Sequence, residues 1–166
     1  MAKKRKNIIP ILLGLTFLAF IGVVLGFIFS SALIVIIFLL PAIIYEIYRT
    51  EGKSTKSASW GLLFISIAEI VLIVMKVNFD IAKYLGTEEG RIAGYEIPFG
   101  DVKIVGPTIM VVLAVVLFIR TWGPYTKWLA VVIFLTSFAI IYLIDPDIFD
   151  KLLKFATQEA VEEVSY

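Results

Sequence analysis

SASWGLLFISIAEIVLIVMKV, residues 57–77, is an apolar run of membrane length with one carboxylate, Glu69, near its middle. About 20 such residues cross a hydrocarbon core as a helix, and a charge at that depth costs on the order of 2.5–3.5 kcal/mol. Glu69 must therefore be neutralised, paired or turned toward protein or water. The rest of the chain supplies the scaffold and the aqueous ends of this helix. The 166 residues are 60% hydrophobic with a mean hydropathy of +0.98. Soluble domains are only about half apolar, so the expected solvent is the lipid bilayer and the expected fold a single all-α integral membrane domain.

Composition also removes chemistry. Cysteine and histidine are both absent, which excludes disulfides, zinc and Fe–S ligation, histidine-bound haem and Cys/His or Ser/His/Asp nucleophiles. A formal net charge of +1 argues against a nucleic-acid partner. No cofactor and no metal site is expected.

Upstream, the basic head MAKKRK, residues 1–6, leads into an apolar run that continues to residue 48. The start resembles a secretory signal, but the run outlasts the roughly 7–15 residues of a signal core, so it is read as an uncleaved first span. A straight helix over 8–48 would run about 60 Å, twice the core thickness, so it must fold back. Ser30 and Ser31 mark the break, giving spans at 8–28 and 32–48, the second kinked at Pro41. Gly14, Gly22 and Gly26 form a small-residue stripe on the first span, where another backbone can pack closely.

Downstream, RTEGKSTK at 49–56 reads as a polar loop and 59–77 as the third span. Residues 78–104 form a loop in which RIAGYEIP and DVKIV flank Phe99-Gly100 as a small hairpin. Further spans are expected at 105–120, with Pro107 in its first turn, and at 128–144, separated by the turn TWGPYTK. Residues 146–164 carry apolar positions at helical spacing, an amphipathic tail lying on the membrane surface and capped by Asp145 or Asp147. The expectation is thus about five transmembrane helices plus a C-terminal surface helix.

Basic residues beside spans are retained inside. Lys3 to Lys6, Arg49, Lys53, Lys56, Arg120 and Lys127 fall at one set of ends, whereas the loop at 78–104 and the tail hold most of the acid. A cytoplasmic N-terminus and an outer C-terminus follow, in what reads as a prokaryotic plasma membrane. Trp60, Trp122 and Trp128 all fall at the inner ends, where interfacial rings are favoured.

Glu69 shares a helical stripe with Ser66 and with Lys76, two turns on. One reading makes the three a proton or sodium path, with Glu69 as the relay; the other makes Glu69 a hydrogen-bonder between helices. Isolation weakens the relay, because no other span has an acid or lysine near its centre. Asn78-Phe79-Asp80 and Phe99-Gly100-Asp101 resemble the YD and GxGD pair of intramembrane aspartyl proteases, a resemblance that would imply paired carboxylates for peptide hydrolysis. Here Phe79 stands for the tyrosine and Pro98 for the first glycine, and Asp80 and Asp101 are assigned to the interfacial surface. The expected role is a non-catalytic accessory subunit of a larger membrane complex, with the bilayer and other membrane subunits as partners. The alternative is cation translocation through Glu69.

Overall fold

A computed structural model describes residues 8–50, 52–77, 91–92, 95–96 and 102–147. In chain order these form α1 (Ile8–Phe29), α2 (Ala32–Arg49), α3 (Lys53–Val74), β1 (Arg91–Ile92), β2 (Tyr95–Glu96), α4 (Val102–Arg120) and α5 (Pro124–Ile144). All five of these helices are long and apolar enough to cross a membrane, and among the described residues the fold is all-α apart from the two short strands. Side chains such as Phe17, Phe64 and Ile119, each more than 60% exposed, point outward. Such a surface would aggregate in water and is matched to acyl chains.

Two residues join α1 to α2. Ser30 takes a left-handed φ of 49°, Ser31 N–H bonds Gly26 O at 2.9 Å and Ser30 N–H bonds Phe27 O at 3.3 Å. This Schellman closure satisfies the last carbonyls of α1 inside a two-residue turn. Gly22 and Gly26 lie where the hairpin arms meet, Gly22 against Phe38 and Gly26 against Val35 and Leu143. Pro41, within α2, removes the bond its N–H would have made to the Ile37 carbonyl.

Several boundaries differ from those expected. The third helix begins at Lys53 rather than 59, because Gly52 turns the chain at φ 112° and the first helical turn closes on polar residues through Lys56 N–H to Gly52 O at 3.0 Å. The fifth begins at Pro124 rather than 128, since proline at the first position supplies helical φ without losing a needed donor. The fourth begins at Val102, which puts Pro107 beyond the first turn and inside the helix. The strands also correct the sequence. They pair antiparallel with Arg91 opposite Glu96 and Ile92 opposite Tyr95, so both strands lie within RIAGYEIP instead of one in RIAGYEIP and one in DVKIV. Most of DVKIV opens α4.

The helices form a ring in which α1 packs on α2 and α5, α3 on α2 and α4, and α4 on α5, with α2 and α5 also meeting across the middle. Ile36, Leu39, Ile43, Leu62, Met110, Leu117, Leu129 and Ile133 fill the centre. Arg49, Lys53, Lys56, Arg120 and Lys127 all belong to one end of the bundle, the end at which α1 starts. At the other end Asp145 Oδ1 accepts the Asp147 N–H at 3.0 Å. The tail itself, with Asp80 and Asp101, lies outside the described residues.

Candidate functional site

The buried face of α3 is mostly polar. Thr55, Ser59, Leu62, Ser66 and Glu69 recur at intervals of three and four residues and turn inward. Helical periodicity puts them on one seam. Toward the far end, Glu69 is 1% exposed and sits on α4: a Cβ built at Gly106 would collide with its Oε2 and approach Ile65 Cγ2 to 3.6 Å. A glycine is therefore what lets the carboxylate lie against the neighbouring backbone. Ser66, fully buried one turn earlier, donates to Leu62 O at 2.8 Å and lies 3.7 Å from Met110 Sδ. Lys76 is placed elsewhere. It is exposed at φ 50° and closes the C-terminus of α3, with its N–H on Ile73 O and Val77 N–H on Leu72 O, both at 3.1 Å. Its place is a helix cap.

A second carboxylate, which the sequence did not single out, is buried at the basic end. Glu46 is 0% exposed although it lies one turn before the end of α2. Thr50 Oγ1 donates to Glu46 Oε1 at 2.9 Å. Ser59 Oγ lies 3.5 Å from Thr50 Oγ1 and donates to Thr55 O at 3.1 Å. Glu46 Oε2 is buried with no hydrogen-bond partner among the described residues, and so are Arg49 Nε and Thr121 Oγ1 close by. Arg120 Nη1 donates to Ser54 Oγ, tying the end of α4 to the start of α3. The two carboxylates thus stand at opposite ends of one hydroxyl-bearing seam. Ser59 to Glu69 is about 15 Å along the axis.

Leu62, 0% exposed, divides the seam. The other buried hydroxyls of the core are also taken up locally: Thr136 bonds Val132 O at 2.7 Å and Ser137 bonds Ile133 O at 2.7 Å. Tyr142 is 43% exposed and its ring packs on Phe27, 5.7 Å between centroids. Gly14, the first member of the glycine stripe, faces outward with nothing within 4 Å of a built Cβ. Among the described residues no cluster of three or more His, Cys, Asp or Glu is arranged to hold a metal. Compared with known proteins, the chain matches no family model, and no curated protein and no solved structure is similar to it.

Proposed function

We propose that this chain is a small multi-pass subunit with an accessory, structural role in a larger membrane assembly. The observation that carries the proposal is how the interior polar groups are used. Ser59, Ser66, Thr136 and Ser137 bond carbonyls of their own helices, and Ser66 lies against the fully buried Met110. Glu69 fits against Gly106 as a packing element. Hydroxyls taken up in this way are spent within their own helices, and what holds helices together in lipid, where hydrophobicity supplies no drive between them, is close packing of the kind Glu69 makes on Gly106. In the same proposal the basic end is cytoplasmic, by the retention of lysine and arginine. A single cysteine at exposed Ser54 in right-side-out vesicles should then react only with a membrane-permeant thiol reagent; rapid reaction with an impermeant one would reverse the orientation.

A second reading, proton or sodium movement, draws on Glu46 and Glu69 lying at the two ends of one seam. Glu69→Gln separates the two. Glutamine keeps the shape and most of the hydrogen-bonding capacity of the acid but cannot exchange a proton or balance a cation. For an accessory subunit, native-gel mobility of the purified complex is expected to be unchanged by Gln, and Glu69→Leu to loosen the packing of α3 on α4 within the chain by about 1–2 kcal/mol, read by unfolding in mixed micelles. Flux in wild-type vesicles that Gln abolishes without altering the gel would replace the subunit proposal with the transport one.

A further inference from the structure

At the basic end, between the C-termini of α2 and α4 and the start of α5, lies a cavity of about 290 Å³ walled by Arg49, Arg120, Thr121 and the first turn of α5. No acidic residue lines it. Two of the residues that wall it, Arg49 and Thr121, each carry a buried polar atom, Nε and Oγ1, with no hydrogen-bond partner among the described residues. Buried donors of this kind are costly unless something accepts from them. Gly123, which precedes α5, has no side chain to cap the helix, so its positive end also opens here. Guanidinium forks, a hydroxyl and a helix N-terminus are together the donor set of a phosphate site. The carboxylate of Glu46, one turn before Arg49, offsets part of the charge but bonds Thr50 and is not in the wall.

The same α4–α5 hairpin carries an apolar groove of about 310 Å³, lined by Ala114, Val115 and Phe118 on α4 and by Ala130, Val131 and Phe134 among others on α5. Phe118 is two residues from Arg120, about 3 Å along the axis. Lys127 Nζ lies 5.5 Å from the Phe118 ring centroid, a third cation at the junction. Trp122, 97% exposed, marks the level at which aromatic rings meet lipid headgroups. A cationic phosphate cavity placed beside an acyl-sized groove on a membrane-spanning hairpin has the two parts of a phospholipid.

We propose that this hairpin binds an anionic phospholipid, its phosphate held by Arg49 and Arg120 in the cavity and an acyl chain laid in the α4–α5 groove. Free phosphate would satisfy the cavity alone; the groove assigns the source to lipid. The test is native mass spectrometry of the full chain with phosphatidylglycerol or phosphatidylcholine of the same acyl chains, and with inorganic phosphate as competitor. Retention of phosphatidylglycerol over phosphatidylcholine is expected, falling about 30-fold in Arg49→Gln/Arg120→Gln. Lys56→Gln, an exposed lysine at the same end but outside the cavity, should leave it unchanged. Val131→Phe, which fills the groove, should lower lipid retention without touching the arginines. Arg49→Lys keeps the charge but loses the buried Nε, and a reduced retention with unchanged helicity would support the cavity even if the double variant fails to fold. Equal retention of the two lipids, an equal loss in Lys56→Gln, or displacement by millimolar phosphate with no effect of Val131→Phe would each overturn the proposal.

Discussion

Replacing Gly22 with alanine is expected to loosen the α1–α2 hairpin by about 1–3 kcal/mol, while Gly14→Ala is expected to be neutral or to stabilise by up to about 1 kcal/mol. The contrast comes from what a single methyl meets. At Gly22 the added Cβ would collide with Phe38 Cβ and reach Phe38 Cγ at 3.0 Å. Phe38 Cβ is fixed to the backbone of α2, so no rotamer change removes the clash, and the helix axes must separate. Separation forfeits the van der Waals contact that holds helices together in lipid. Gly26 is constrained in the same way, with Val35 Cγ2, Leu143 Cδ1 at 3.2 Å and the Ser31 carbonyl at 3.3 Å around its missing Cβ. Gly14 has open space, so alanine there adds only helix propensity. Reversible unfolding in mixed detergent micelles measures the difference. Equal effects at positions 14 and 22 would mean that the stripe does not hold the hairpin.

The glycine stripe shows how far the sequence could be read. Small residues at helical spacing announced a close approach by α1, because in an evenly apolar helix residue size is the one remaining signal. They could not say which of the three met a neighbour in this chain, since that depends on where α2 returns. Span number was legible from apolar length and from punctuation: Ser30-Ser31, Gly52 and Gly123-Pro124 each stop or start a helix in the structure. Helix starts were less legible. The expected boundaries followed the edge of the apolar run, whereas α3 and α5 extend into polar sequence whose end groups are satisfied by Gly52 and Gly123 carbonyls.

That one difference hid half of the candidate site. With 49–56 read as a loop, nothing stood over Glu46 to enclose it, and the residue was not singled out. Once Lys53–Val74 is helical from its first residue, Thr55 and Ser59 form part of its buried face, and Glu46 is enclosed with them. The signal was present in the sequence as a lone carboxylate in IIYEIYR, one turn from an arginine. Glu69 was legible without any fold, because no end of its span lay near enough to excuse it. Its seat against Gly106 was not, because the sequence between the two spans gives no register between α3 and α4.

Thr50→Val is expected to destabilise the protein by about 1–3 kcal/mol, whereas Glu46→Met/Thr50→Val together are expected to return to within about 1 kcal/mol of wild type or to exceed it. Thr50 Oγ1 supplies the 2.9 Å bond to Glu46 Oε1, and Glu46 Oε2 already lacks a hydrogen-bond partner among the described residues. Removing the threonine hydroxyl leaves a fully buried carboxylate with less to hold it, and the cost is that of the stranded group rather than of the lost bond. Removing the carboxylate as well takes away the group that needed satisfying. Methionine fills nearly the same volume, and Ser59 keeps its bond to Thr55 O at 3.1 Å. Arg49 can then turn wholly toward the cavity it lines. Unfolding of the wild type, the single and the double variant under one set of conditions tests the asymmetry. A double variant as damaged as Thr50→Val, or more so, would show that the Glu46 carboxylate makes a contribution beyond its bond to Thr50. Recovery in the double variant, with assembly intact, would identify Glu46 as a buried group tolerated by packing, and would leave the seam of α3 without the second carboxylate that a cation path along it requires.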